Sequence, residues 1–128
     1  EVVAADLAEP LRRSTRGHKY IMVLCDVHTR YVNYVPMHKK GDALYEWRAF
    51  CARMKTSTNG RFRVRALLSD FGGEFMGMRG YNKTKGITWL PAAPRSQQQN
   101  GIAESQVSWV KTAIILMCRN FMCFCLCI

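Results

Sequence analysis

Three short apolar runs occupy the first 37 residues, and a change of period follows at once; this switch limits the folds open to the chain. Val2 to Leu7 is a first strand candidate. Lys19 to Cys25 (KYIMVLC) carries the strongest strand signal. Tyr31 to Met37 (YVNYVPM) reads as a third strand, with Val32, Tyr34 and Pro36 on one face. A proline so near its end marks an edge strand, because proline cannot donate to a ladder. The links, the basic turn Pro10 to Gly17 and the tight connection Asp26 to Arg30, are too short for crossovers, so these strands pair as an antiparallel meander. From Asp42 to Lys55 the spacing becomes helical: Leu44, Trp47, Phe50, Cys51 and Met54 recur on one face. Gly41-Asp42 starts that helix, and Asn59-Gly60 ends the region.

The second half continues with an α/β alternation. Arg61 to Leu68 reads as a fourth strand, with Arg61, Arg63 and Arg65 alternating with Phe62, Val64 and Ala66 before the run turns fully apolar. Gly72 and Gly73 break it. Phe75 to Lys85, rich in Gly and Met, carries at most a short helix. Ile87 to Leu90 (ITWL) is a fifth strand, Pro91 to Asn100 a polar loop, and Ile102 to Cys118 a helix with Ile102, Val107, Val110, Ile114 and Met117 near one face. The order predicts an α/β domain whose five-stranded mixed sheet is flanked by helices. A chain of 128 residues forms one such domain.

Charge narrows the partners. Nineteen Lys and Arg against nine Asp and Glu give a net +10, spread over many segments. That distribution fits a broad phosphate-contacting face, with nucleic acid the commonest polyanion. Four of the six cysteines fall in the last eleven residues, and none shows zinc spacing. His18, His28 and His38 show no ligand pattern. No apolar run reaches the roughly 18 residues of a spanning helix, so no membrane partner is expected. The chain starts without Met and almost inside a strand, as a piece of a longer polypeptide would.

Three acids stand where elements end. Asp6 is late in the first strand, Asp70 follows the fourth, and Glu104 opens the last helix; 33 residues separate the last two. Singly, each also reads as something plain: Asp6 a surface acid, Asp70 a turn residue before Gly-Gly, Glu104 a dipole-favoured first-turn acid. If the first and fourth strands are parallel neighbours, Asp6 and Asp70 emerge at one edge, and the helix start aims Glu104 at them. Clustered carboxylates repel unless cations hold them. All-oxygen ligands suit Mg²⁺ or Mn²⁺. Two such ions, about 3.5–4 Å apart, serve phosphoryl transfer.

SDFGGEF followed by KGITWLPAAPRSQQQNGIAES resembles the catalytic core of retroelement integrases, especially the Ty1/Copia type. The upstream segment GHKYIMVLCDVHTRYVNYVPM is similar too, so the likeness covers roughly residues 3 to 117. It implies a ribonuclease-H-like fold and a metal triad at Asp6, Asp70 and Glu104. Asp26 matches a frequent Asp of that family but is not placed among the metal ligands. The resemblance also implies trimming of DNA 3′ ends, strand transfer into target DNA, a homodimer or higher oligomer, and action in the nucleus. Ser96 to Gly101 resembles a mobile loop beside the integrase active site. Gln97, Gln98, Gln99 and Asn100 there can bond DNA, and Lys111, on the Glu104 face of the helix, can contact a DNA end. Phe71 stands where the family usually has Asn, and Ser105 where Copia-type elements usually have Arg. Residues 1–118 read as the core and 119–128 as an atypical apolar, Cys-rich tail. The alternatives are a catalytically decayed or co-opted DNA-binding copy, and a ribonuclease H proper with Glu46 as a further acid.

Overall fold

The computed structural model describes residues 1–8, 16–69 and 72–91, together with 105, 108, 109 and 112. Strands β1 (Val2–Ala8), β2 (Tyr20–Asp26) and β3 (Val32–Met37) come first. A 3₁₀ turn at Lys40–Asp42 leads into α1 (Ala43–Ser57). Then follow β4 (Ala66–Ser69), α2 (Gly73–Met76), α3 (Arg79–Lys85) and β5 (Thr88–Pro91). The sheet order is β3-β2-β1-β4-β5. β1, β2 and β3 form the antiparallel meander, with β3 at the edge as Pro36 requires. β1–β4 and β4–β5 are parallel, made possible by the crossovers through α1 and through α2–α3.

Strand alternation decides which face each residue serves. Val3, Ala5, Met22, Leu24, Val35, Met37 and Leu67 form one apolar face. Ala43, Trp47 and Phe50 of α1 and Phe75 and Met78 pack on it. Trp47 is fully buried and stacks on Phe50, ring centroids 5.8 Å apart. Its indole N–H donates to Oδ1 of buried Asn82 at 2.8 Å, which ties α1 to α3 and satisfies the buried indole donor. The other face carries a smaller cluster, Ala4 and Cys25 with Val27, Val32 and Leu68. On β3, Val35 and Met37 are buried, whereas Tyr34 and Pro36 on the predicted shared face are exposed.

Two expectations need correction. Arg61 to Arg65 is not strand, although its exposure alternates as the sequence implies. β1 meets β4 only from Val2 opposite Ala66, so residues 61–65 lie beyond the ladder. The span 75–85, expected to hold at most a short helix, is almost wholly helical in α2 and α3 despite Gly77 and Gly80. Burial of Phe75, Met78 and Asn82, three and four residues apart, outweighs the poor helix propensity of glycine. α3 ends at Gly86, whose φ of +66° closes the helix in a left-handed cap. The predicted final helix lies mostly outside the described residues, but Ser105, Ser108, Trp109 and Thr112 are helical.

Candidate active site

Asp6 sits near the carboxyl end of β1, opposite Val23 of β2. Alternation puts it on the Ala4 side of the sheet, the face opposite α1. It is half-buried, and its Oδ1 accepts the Leu7 N–H at 2.7 Å. That bond restrains the carboxylate against its own strand.

The parallel register beside it runs from Val2 opposite Ala66 to Ala4 opposite Leu68. β4 closes at Ser69, a buried residue whose hydroxyl accepts the Trp89 indole N–H at 2.8 Å. The Arg79 guanidinium lies 5.4 Å from the centre of the Trp89 ring. On the far side, the Gly72 carbonyl accepts the Phe75 and Met76 N–H groups at 3.0 and 3.1 Å, starting α2. Ser69 and Gly72 therefore anchor both flanks of the Asp70 segment. Sequence inspection missed the Ser69–Trp89 bond; the only trace was a Ser before the Asp and a Trp in the next strand.

Asp70, Glu104, Gln97, Gln98, Gln99, Asn100 and Lys111 lie outside the described residues, as does the tail 119–128. Among the described residues no group of three or more His, Cys, Asp or Glu side chains is placed to hold a metal. No described helix is long and apolar enough to cross a membrane.

Asp26 belongs to a different place. It closes β2 opposite Val3, three positions along β1 from Asp6, or roughly 10 Å at strand rise. Its Oδ2 accepts both the amide and the hydroxyl of Thr29, and its carbonyl accepts the Arg30 N–H at 2.9 Å. These bonds make Asp26 a turn-former. Next to it, burial pushes the Cys25 thiol pKa up, against the pull of Arg30. Two histidines that show no ligand pattern in sequence do meet: His18 and His38 stack with centroids 4.4 Å apart.

Comparison with known proteins follows the same line. No family model matches the chain. Two curated relatives from Arabidopsis thaliana, the retrovirus-related Pol polyproteins from transposons RE2 and RE1, are 28% and 27% identical over 106 residues. Each match covers 81% of this chain, and the chain spans about 7% of the length of those relatives. Among solved structures, a chain of the simian T-cell lymphotropic virus intasome in complex with PP2A regulatory subunit B56 gamma superposes with a TM-score of 0.63. That match covers 87% of this chain and 38% of the other at 14% identity, a likeness of fold. A five-stranded mixed sheet of this order gives the chain a ribonuclease-H-like α/β fold like that of the intasome chain, on a sequence similar to retrotransposon Pol polyproteins.

Proposed function

We propose that the chain is the catalytic core of a Ty1/Copia-type integrase, a polynucleotidyl transferase that trims element DNA ends and joins them to target DNA. One observation carries the proposal: β1 and β4 are parallel neighbours, in a register where Ala4 faces Leu68. Asp6 is two residues beyond Ala4 in sequence, and Asp70 is two beyond Leu68. Glu104 completes the set by resemblance.

The donor chemistry fits the group it would hold. Asp6, Asp70 and Glu104 offer only carboxylate oxygens, the ligand type of Mg²⁺ and Mn²⁺, and no thiol or imidazole is required. Such ions, when bound, activate an attacking oxygen and neutralise charge on the leaving oxygen. The chain's own part is to hold the acids. β1 fixes Asp6 by its ladder and by the Leu7 N–H, while the Ser69–Trp89 bond and the Gly72 cap fix the flanks of Asp70. Gln97 to Asn100 and Lys111 are proposed to contact DNA. The intasome likeness of the fold supports DNA and further copies of the chain as partners; action in the nucleus is proposed from the sequence resemblance alone.

The test is joining of a labelled element end to plasmid DNA, with Mn²⁺ and with chelator, by the wild type and by Asp70→Asn. Metal-dependent joining that the variant loses supports the proposal. No joining, with salt-sensitive DNA binding equal in both proteins, replaces it by the decayed, DNA-binding copy.

A further inference from the structure

A basic groove lies at the other end of the sheet. Gly60, residues 62–64, the last turns of α1 and α3, and Ile87 line a groove of about 560 Å³. Its lining includes Lys55, Arg63 and Lys85 around Phe62, Val64 and Tyr81, and it contains no Asp or Glu. Arg48 and Lys85 share the Tyr81 ring, at 5.3 and 6.0 Å from its centre. Like charges gathered on one ring repel, and an anion between them relieves that repulsion.

The neighbouring basic row is held in place by backbone bonds. The Glu1 ammonium donates to the Arg63 carbonyl at 2.8 Å. Arg65 N–H donates to the Glu1 carbonyl and Thr88 N–H to the Arg65 carbonyl, both at 2.8 Å. Arg61, Arg63 and Arg65 are all exposed. Alternate residues of extended chain stand roughly 6.6 Å apart, at about 3.3 Å per residue. A row of that spacing can set successive guanidinium groups along the phosphate backbone of one strand. The row begins beyond Ala66, which pairs with Val2, four residues and roughly 13 Å from Asp6 along β1.

We infer that this groove and its arginine row bind a nucleic-acid backbone, as a docking surface separate from the candidate acid edge. A duplex backbone suits it better than stacked single-strand bases, because Tyr81 already carries Arg48 and Lys85 on its ring. The inference concerns binding alone and does not depend on the triad being active.

The experiment is anisotropy of a fluorescent DNA duplex of arbitrary sequence over a salt series, in chelator, with the full chain. Arg61→Gln/Arg63→Gln/Lys85→Gln is compared with Arg16→Gln/Lys19→Gln/Lys39→Gln, which removes the same charge from exposed positions elsewhere. Losing three phosphate contacts lowers the slope of log K against log salt by about 2.7, and affinity near 0.1 M salt falls by roughly tenfold or more. The control triple changes affinity by no more than about threefold. Equal losses in the two triples overturn the inference in favour of diffuse charge. Displacement of the duplex by poly-glutamate at equal charge concentration, abolished only in the groove triple, also overturns it, in favour of an acidic protein partner. Failure of DNA joining with the groove effect intact refutes the catalytic proposal and leaves this one standing.

Discussion

The Trp47–Asn82 bond allows a worked prediction about how the domain holds α3 and β5 in place. Both residues are buried and lie 35 positions apart in sequence, joined by a 2.8 Å N–H···O bond. Indole nitrogen only donates, so the Asn82 carbonyl oxygen must face it. Asn82→Ala removes a neutral hydrogen bond with a net worth of about 1 kcal/mol and orphans a buried N–H at about 1–3 kcal/mol, so the domain loses roughly 2–4 kcal/mol. Trp47→Phe keeps an aromatic ring in the core but strands the Asn82 oxygen and leaves a void, at roughly 2–4 kcal/mol. In the double variant neither partner remains to be orphaned. Its loss therefore falls short of the sum of the single losses by roughly 1–2 kcal/mol. Urea unfolding followed by far-ultraviolet circular dichroism measures all four proteins. Additivity within about 0.3 kcal/mol would refute the claim that this bond couples α1 to α3.

Other consequences follow from single residues. Gly86→Ala has open space for its methyl group, yet φ is +66°, so backbone strain alone costs about 1–2 kcal/mol in the same unfolding assay. Asp26→Asn, three positions along the β1–β2 ladder from Asp6, keeps metal-dependent joining within about threefold of wild type, because turn acids do not carry charge to the reacting phosphate. Burial pushes the Cys51 thiol up to about 12 from its usual 9.0, so iodoacetamide labels it more slowly than a free cysteine at pH 9. The same shift makes Cys51 a neutral-preferring group in the fold. Its contribution is intact below pH 9 and declines as pH rises from 9 towards 12, read as a falling urea midpoint over that window.

The meander and α1 were legible because each follows one rule. Apolar runs with short links must pair antiparallel, and Trp47, Phe50 and Met54 keep helical period in a segment without breakers. The parallel β1–β4 pair was legible only as a condition, since strand partners far apart in sequence are chosen by the closing of the core around Leu67 and Val3. α2 and α3 were underestimated for a physical reason. Glycine count speaks for local propensity, while Phe75, Met78 and Asn82 speak for packing, and packing prevailed. The strand expected over Arg61 to Leu68 was right in its alternation but extended beyond its partner. As for the candidate site, Asp6 was legible as a strand-end acid, whereas the Ser69–Trp89 anchor depends on a contact across strands that no local pattern announces.

The central claim is that Asp6 belongs to a metal-dependent phosphoryl-transfer site. Its most direct test is the rate on a branched DNA that mimics the joined product, in Mn²⁺, for wild type and Asp6→Asn, with thermal unfolding of both. Loss of one metal ligand removes several kcal/mol of transition-state stabilisation, so the account predicts a fall of roughly 10³-fold at an unchanged melting temperature. Equal rates in the two proteins, or wild-type turnover that persists in chelator, would contradict it.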